Sequence, residues 1–142
     1  MANKIPESVR RKVNQRAKSY CEYCQASEEI TGQRFHVDHV LPRVGGGKTN
    51  LENLCLACPG CNGAKLDQQS GLDPVSGNSV ALFNPRQHQW KEHFAWDSEG
   101  ITIIGLSDIG RATIETLRLN RPLATSARRV RVTFHRHPPV DL

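Results

Sequence analysis

No stretch of this 142-residue sequence approaches the roughly 18 consecutive apolar residues that cross a bilayer. Met1 to Ile5 also lacks the apolar segment of a secretory signal. The first absence excludes a helical membrane span, and together they lead to the expectation of a soluble, cytoplasmic chain. Internal repeats and low-complexity tracts are absent as well, so neither a solenoid nor a biased, unstructured tail is expected. A disulfide framework suits the cysteines poorly: they number five, and four of them fall into two Cys-x2-Cys pairs. That arrangement suits metal thiolates in a reducing compartment. A length of 142 with 37% hydrophobic residues suffices for one modest core and not for two, which predicts a single domain over 1–142.

What charge there is, is unevenly placed. Residues 1–20 carry six basic side chains against Glu7 alone, and residues 111–142 carry seven arginines against Glu115 and Asp141. With a net charge of +5 overall, the middle must be acidic. Basic flanks around an acidic centre fit a polyanion gripped at its periphery, with a central site that needs a cation before it tolerates phosphate. Solvated surface charge accounts for the same composition.

Val9, Val13 and Ala17 recur every four residues among Arg10, Arg11, Lys12, Arg16 and Lys18, which predicts a basic amphipathic helix within 1–19. Phe35, Val37, His39 and Leu41 alternate as in a strand over 34–41, which Pro42 ends. Gly45, Gly46 and Gly47 place a loop over 43–50, and Leu51 to Leu56 resumes a strand-like run. Cys58-Pro59-Gly60-Cys61 reads as a tight turn before a helix over 62–69. A connector follows near Asp73 to Asn78, and then an extension over 80–142. Strands are predicted there at 90–96 and 101–104, with a helix capped by Ser107 over 108–119. Residues 123–134 are ambiguous: Pro122 suits a helix start, whereas Val130, Val132 and Phe134 alternate.

Cys21, Cys24, Cys58 and Cys61 have the spacing that lets two thiolates of each pair reach one tetrahedral ion, and a closed four-sulfur site leaves no position for water. The predicted role is a structural zinc that supplies folding energy. Unliganded buried thiols are the bland alternative. Cys55 is also in legal spacing with Cys58, but it sits in an apolar run and reads as a buried thiol.

Val37-Asp38-His39-Val40-Leu41-Pro42, the glycine loop, Asn50-Leu51-Glu52-Asn53-Leu54 and Cys58-x2-Cys61-Asn62-Gly63-Ala64-Lys65 together resemble the HNH nuclease motif over about residues 20–66. One departure is Asn62, where the name of the family has a histidine. The resemblance implies an α+β fold: a ββα-metal (His-Me finger) core over 20–70, with the N-terminal helix, zinc knuckles and a C-terminal hairpin-plus-helix extension. It further implies a DNA endonuclease in which His39 activates water, Asp38 and Asn62 hold a Mg²⁺ or Mn²⁺ ion, and Asn53 braces the loop. Phosphodiester hydrolysis needs those parts: a base titrating near neutrality, and oxygen ligands for a hard cation that offsets charge at the phosphate. Successive strand residues point to opposite faces, so Asp38 and His39 share a site only where the strand bends or ends.

Lys65, Arg43 and Lys48 are candidate contacts to the DNA backbone, each also readable as a solvated surface charge. His36 is more simply an ordinary strand histidine. Phe83, Trp90, Phe94 and Trp96 read as a core cluster, and the arginines at 111, 118, 121, 128, 129, 131 and 136 suit either a duplex backbone or acidic patches of the protein itself. Two further functions fit the chain: a zinc-stapled module that only binds nucleic acid, and a nuclease subunit that depends on a specificity partner. Duplex DNA is the expected partner and a membrane is not; target sequence and oligomeric state are not written in these residues.

Overall fold

The computed structural model describes residues 5–142, so the first four residues of the basic segment 1–19 lie outside the described residues. The chain forms two units, one of Met1–Gln69 with Asn84–Gln87 and one of Ser70–Phe83 with His88–Leu142.

In the first unit, helix α1 spans Glu7–Ala17 and ends at Lys18 in left-handed backbone. Its predicted stripe is the buried one: Val13 is fully buried, worth about 1.5–3 kcal/mol for a side chain of that size, and Ala17 is buried beside it, while Arg11, Lys12 and Lys18 stay exposed. A short helix α2, Glu28–Thr31, is capped by Ser27, whose hydroxyl accepts from Ile30 N. Glu28 then ties three segments together, accepting from Asn14 Nδ2 at 2.8 Å and from Phe35 N at 2.7 Å.

Strands β1, His36–His39, and β2, Leu54–Ala57, pair antiparallel with His36 opposite Ala57 and Asp38 opposite Cys55. β1 is half the length predicted. It stops at His39 because Pro42 has no N–H and the backbone of Leu41 is taken by the Asn53 side chain instead of a strand. The loop contains a 3-10 turn at Arg43–Gly45, and a second at Leu51–Asn53 replaces the start of the predicted second strand. Every residue of β2 is buried. Helix α3, Pro59–Lys65, begins three residues earlier than predicted, because Cys58 caps it and Pro59 suits its first turn. It packs against β1, and the order strand, strand, helix is complete.

In the second unit the predicted connector, Asp73 to Asn78, is the turn of a hairpin, β3 Ser70–Leu72 with β4 Ser79–Ala81. Asp73 closes it, accepting from Val75 N, Ser76 Oγ and both Nε and Nη2 of Arg111. That guanidinium holds the carboxyl well below the usual carboxylate range. Trp90–His93 is a helical turn, α4, where a strand was predicted, and only Phe94–Trp96 is extended, as β5, pairing with β6 at Ile103–Gly105. Helix α5, Asp108–Leu117, is capped by Ser107 Oγ as its sequence suggests. Residues 122–133 are helical, α6, with Pro122 in the first turn. The second unit thus holds two hairpins and two longer helices.

The predicted aromatic cluster is present, with Trp90 5.1 Å from Phe94 and 5.7 Å from Trp96 between ring centroids. Of the seven C-terminal arginines, three face inward. Arg111 pairs with Asp73, Arg131 is buried, and Arg128 donates to Ile101 O, Leu119 O and Asn120 Oδ1 while lying over the Trp96 ring. Arg118, Arg129 and Arg136 are exposed.

Candidate metal and catalytic site

The turn after α1 and the start of α3 bring Cys21, Cys24, Cys58 and Cys61 together, all four buried, with every sulfur within 4.8 Å of the others. Cys24 Sγ and Cys58 Sγ are 3.7 Å apart. Tetrahedral thiolates at about 2.3 Å from zinc would stand about 3.8 Å from one another, so the cluster has the dimensions of a zinc site. In each pair an amide donates to the leading sulfur, Cys24 N to Cys21 and Cys61 N to Cys58. S–H donors from Cys21, Cys24 and Cys61 hold the Cys58 thiol well down, whereas burial pushes Cys21 well up. Four sulfurs this close cannot all ionise alone; a dication removes that conflict. Cys55 stands outside the cluster, fully buried, with Sγ 3.5 Å from Tyr23 Oη and 3.8 Å from Asp38 Oδ2.

Asp38 is 7% exposed and points into the unit. Its Oδ2 accepts from Tyr23 Oη at 3.0 Å and meets Lys65 Nζ at 3.0 Å. Lys65 is itself 2% exposed and also donates to His39 O at 3.1 Å. The lysine expected on a DNA-facing surface therefore lies inside, linking α3 to the end of β1. These contacts to Asp38 all fall on Oδ2. Asn62, one turn before Lys65, is half-buried and lines a groove with Arg10, Arg34, His36 and Val37. Its amide makes no hydrogen bond to Asp38 or His39. Carboxylate and amide oxygens on adjoining elements are a donor set for a hard divalent ion, and nothing in the set favours a softer one.

His39, the last residue of β1, is half-buried, and its Nε2 lies 2.8 Å from Thr49 Oγ1. Burial lowers its pKa below the ordinary histidine value, with Arg43 and Lys65 adding to the effect and Asp38 opposing it. Asn53 clamps the loop to the strand: Oδ1 accepts from Leu41 N at 2.8 Å, and Nδ2 donates to Leu41 O at 3.0 Å and Lys48 O at 2.9 Å. Its main chain extends the ladder, with Val40 N donating to Asn53 O. From α1, Arg16 donates to Leu51 O and Leu54 O, the carbonyls on either side of that asparagine. Arg43 and Lys48 are exposed on the loop.

Three residues at the site carry no signal in the sequence that would single them out. Tyr23 lies between paired cysteines, where a phenol bonded to Asp38 has no characteristic spacing. Thr49 is a loop hydroxyl, and Arg16 sits in a basic helix where its charge suggests nucleic acid.

The HNH endonuclease family model matches residues 21–68. The CRISPR-associated endonuclease Cas9 of Corynebacterium diphtheriae is 42% identical over 81 residues, covering 54% of this chain and 7% of that protein. The chain thus spans a small part of that relative's length. No solved structure matches. The stretch that matches the HNH endonuclease model, residues 21–68, carries both cysteine pairs, the β1–β2 hairpin and α3.

Proposed function

We propose that this chain is a metal-dependent DNA endonuclease with a ββα-metal core, a structural zinc on Cys21, Cys24, Cys58 and Cys61, and a Mg²⁺ or Mn²⁺ ion held by Asp38 and Asn62. The observation that carries the proposal is the end of β1, where buried Asp38 precedes half-buried His39 and Asn53 clamps the following Leu41, inside the segment that the family model matches. The ion supplies charge neutralisation at the scissile phosphate and at the departing oxygen.

His39 takes the proton of the attacking water. Its lowered pKa leaves the ring neutral, and so able to accept, at neutral pH. Water oxygen bonds to phosphorus, and the P–O3′ bond breaks with its electron pair going to the 3′ oxygen. That oxygen takes a proton from solvent, which gives 5′ phosphate and 3′ hydroxyl ends. Asn53 keeps the loop and the strand end in one arrangement, so the imidazole is placed before substrate arrives. Lys65 compensates Asp38 and holds the His39 carbonyl, which makes it a positioning residue in this scheme. Arg43 and Lys48 supply exposed cations for the duplex backbone.

The test is cleavage of supercoiled plasmid with Mg²⁺ or Mn²⁺ by wild type and by His39→Ala. Wild type should nick, and the variant should lose at least about a hundredfold in rate. If both are inert yet retard DNA equally in a gel, the chain binds nucleic acid without cutting it.

A further inference from the structure

Among the described residues Thr49 is the one side chain hydrogen-bonded to the His39 ring, at 2.8 Å from Nε2, and the residues before it are pinned. Gly47 approaches the end of β1 so closely that a Cβ there would stand 1.7 Å from Leu41 O, and Gly47 N donates to Pro42 O. Asn53 Nδ2 holds Lys48 O from the other side. The backbone entering Thr49 is therefore fixed to the same strand end that carries His39, and a β-branched side chain has few rotamers with which to move its hydroxyl away.

A neutral imidazole has one N–H and one lone pair, and it can take a proton only on the nitrogen that holds the lone pair. With Nε2 against a hydroxyl, Nδ1 is the ring nitrogen with no hydrogen-bond partner among the described residues. We propose that Thr49 is a positioning residue for the cleavage reaction: its Oγ1 accepts from Nε2–H and fixes His39 in the tautomer that presents the Nδ1 lone pair to the attacking water. The proposal rests on the nuclease reading above. When Nδ1 takes the proton, Nε2–H stays bonded to Oγ1, so the charged ring needs no rearrangement.

The experiment uses the full chain, ¹⁵N-labelled at histidine, with the His39 ring assigned by its loss in His39→Gln. In the neutral ring of wild type, imidazole ¹⁵N shifts should show Nε2 protonated and Nδ1 bare. Thr49 is exposed, so the near-isosteric Thr49→Val should fold. It should bring the two shifts together as the tautomers mix, and kcat for plasmid nicking should fall by roughly ten- to hundredfold. KM for DNA should stay within about twofold, since no substrate contact is removed. Thr49→Ser should restore both the shifts and kcat. A wild-type ring protonated on Nδ1 overturns the proposal, as does a valine variant with unchanged shifts and kcat, or a loss that serine fails to restore. Wild type with the expected tautomer but no nicking under either cation overturns the nuclease reading instead, and Thr49 is then left with a hold on the ring but no reaction to serve.

Discussion

Replacing Lys65 by methionine keeps an unbranched stem as far as the ε position and removes the ammonium that meets Asp38 at 3.0 Å. At an effective dielectric of about 20, two unit charges at that separation attract by about 5 kcal/mol. Both partners are nearly inaccessible, at 2% and 7% exposure, so water cannot replace what is lost. Removing one member of a buried pair typically costs about 3–5 kcal/mol, because the surviving charge stays buried. The hydrogen bond to His39 O disappears with it. The expected loss for Lys65→Met is therefore about 3 kcal/mol or more. The double variant Asp38→Asn/Lys65→Met leaves no uncompensated charge and should recover at least about 1 kcal/mol of that loss. The assay is denaturant unfolding followed by the near-ultraviolet signal of tyrosine, since Tyr20 and Tyr23 both belong to the first unit. A single variant within about 1 kcal/mol of wild type refutes the reasoning, as does a double variant less stable than the single. Neither result depends on cleavage.

Two further outcomes are expected. Metal analysis of the purified protein should find about one zinc per chain, and a strong chelator or Cys61→Ser should abolish the tyrosine-reported transition, because the buried sulfurs then have no cation to hold them together; an unchanged transition would contradict this. His137 is buried among Trp96, Arg128 and Arg131, and burial first, then the two arginines, push its pKa down to about 4. The unfolded chain, with an ordinary histidine near 6.5, binds the proton more readily. Stability from this group is thus complete above about pH 6.5 and falls by up to about 3 kcal/mol as pH drops to about 4. His137→Gln should flatten the pH dependence of unfolding in that window, and a variant curve parallel to wild type would contradict the assignment.

Spacing makes the first unit readable. Two Cys-x2-Cys pairs, an Asp-His pair on an alternating run, and a Cys-Asn-x-x-Lys start to a helix are local patterns with few alternative meanings. The interior fate of Lys65 is not readable in the same way, since a helix lysine is ordinarily at the surface and only the buried Asp38 on another element draws this one inward. The second unit misleads the pattern for a related reason. Val130, Val132 and Phe134 alternate like a strand, but α6 turns Val130 and Phe134 outward, at 58% and 69% exposure, and buries Arg128 and Arg131. Helical periodicity is read from apolar residues facing the core, and here the core side is taken by guanidinium groups with carbonyl and indole partners. At Trp90–His93 a four-residue segment fits a strand or a single helical turn equally well, and strand pairing with Gly105 begins at Phe94.

Because the first unit is assembled from two separate stretches of chain, Glu22 depends on a residue made long after it. It is 13% exposed, burial raises its pKa, and it meets Arg86, which arrives only with Asn84–Gln87 after a whole hairpin of the other unit has been laid down. A protein cut after Gln69 would keep every cysteine and every proposed catalytic side chain, yet lose the guanidinium paired with Glu22 and leave Arg16 as the remaining cation acting on it. During synthesis the same holds: the first unit is incomplete until Asn84–Gln87 has been made, so the two units are not beads that can be unthreaded at a single point.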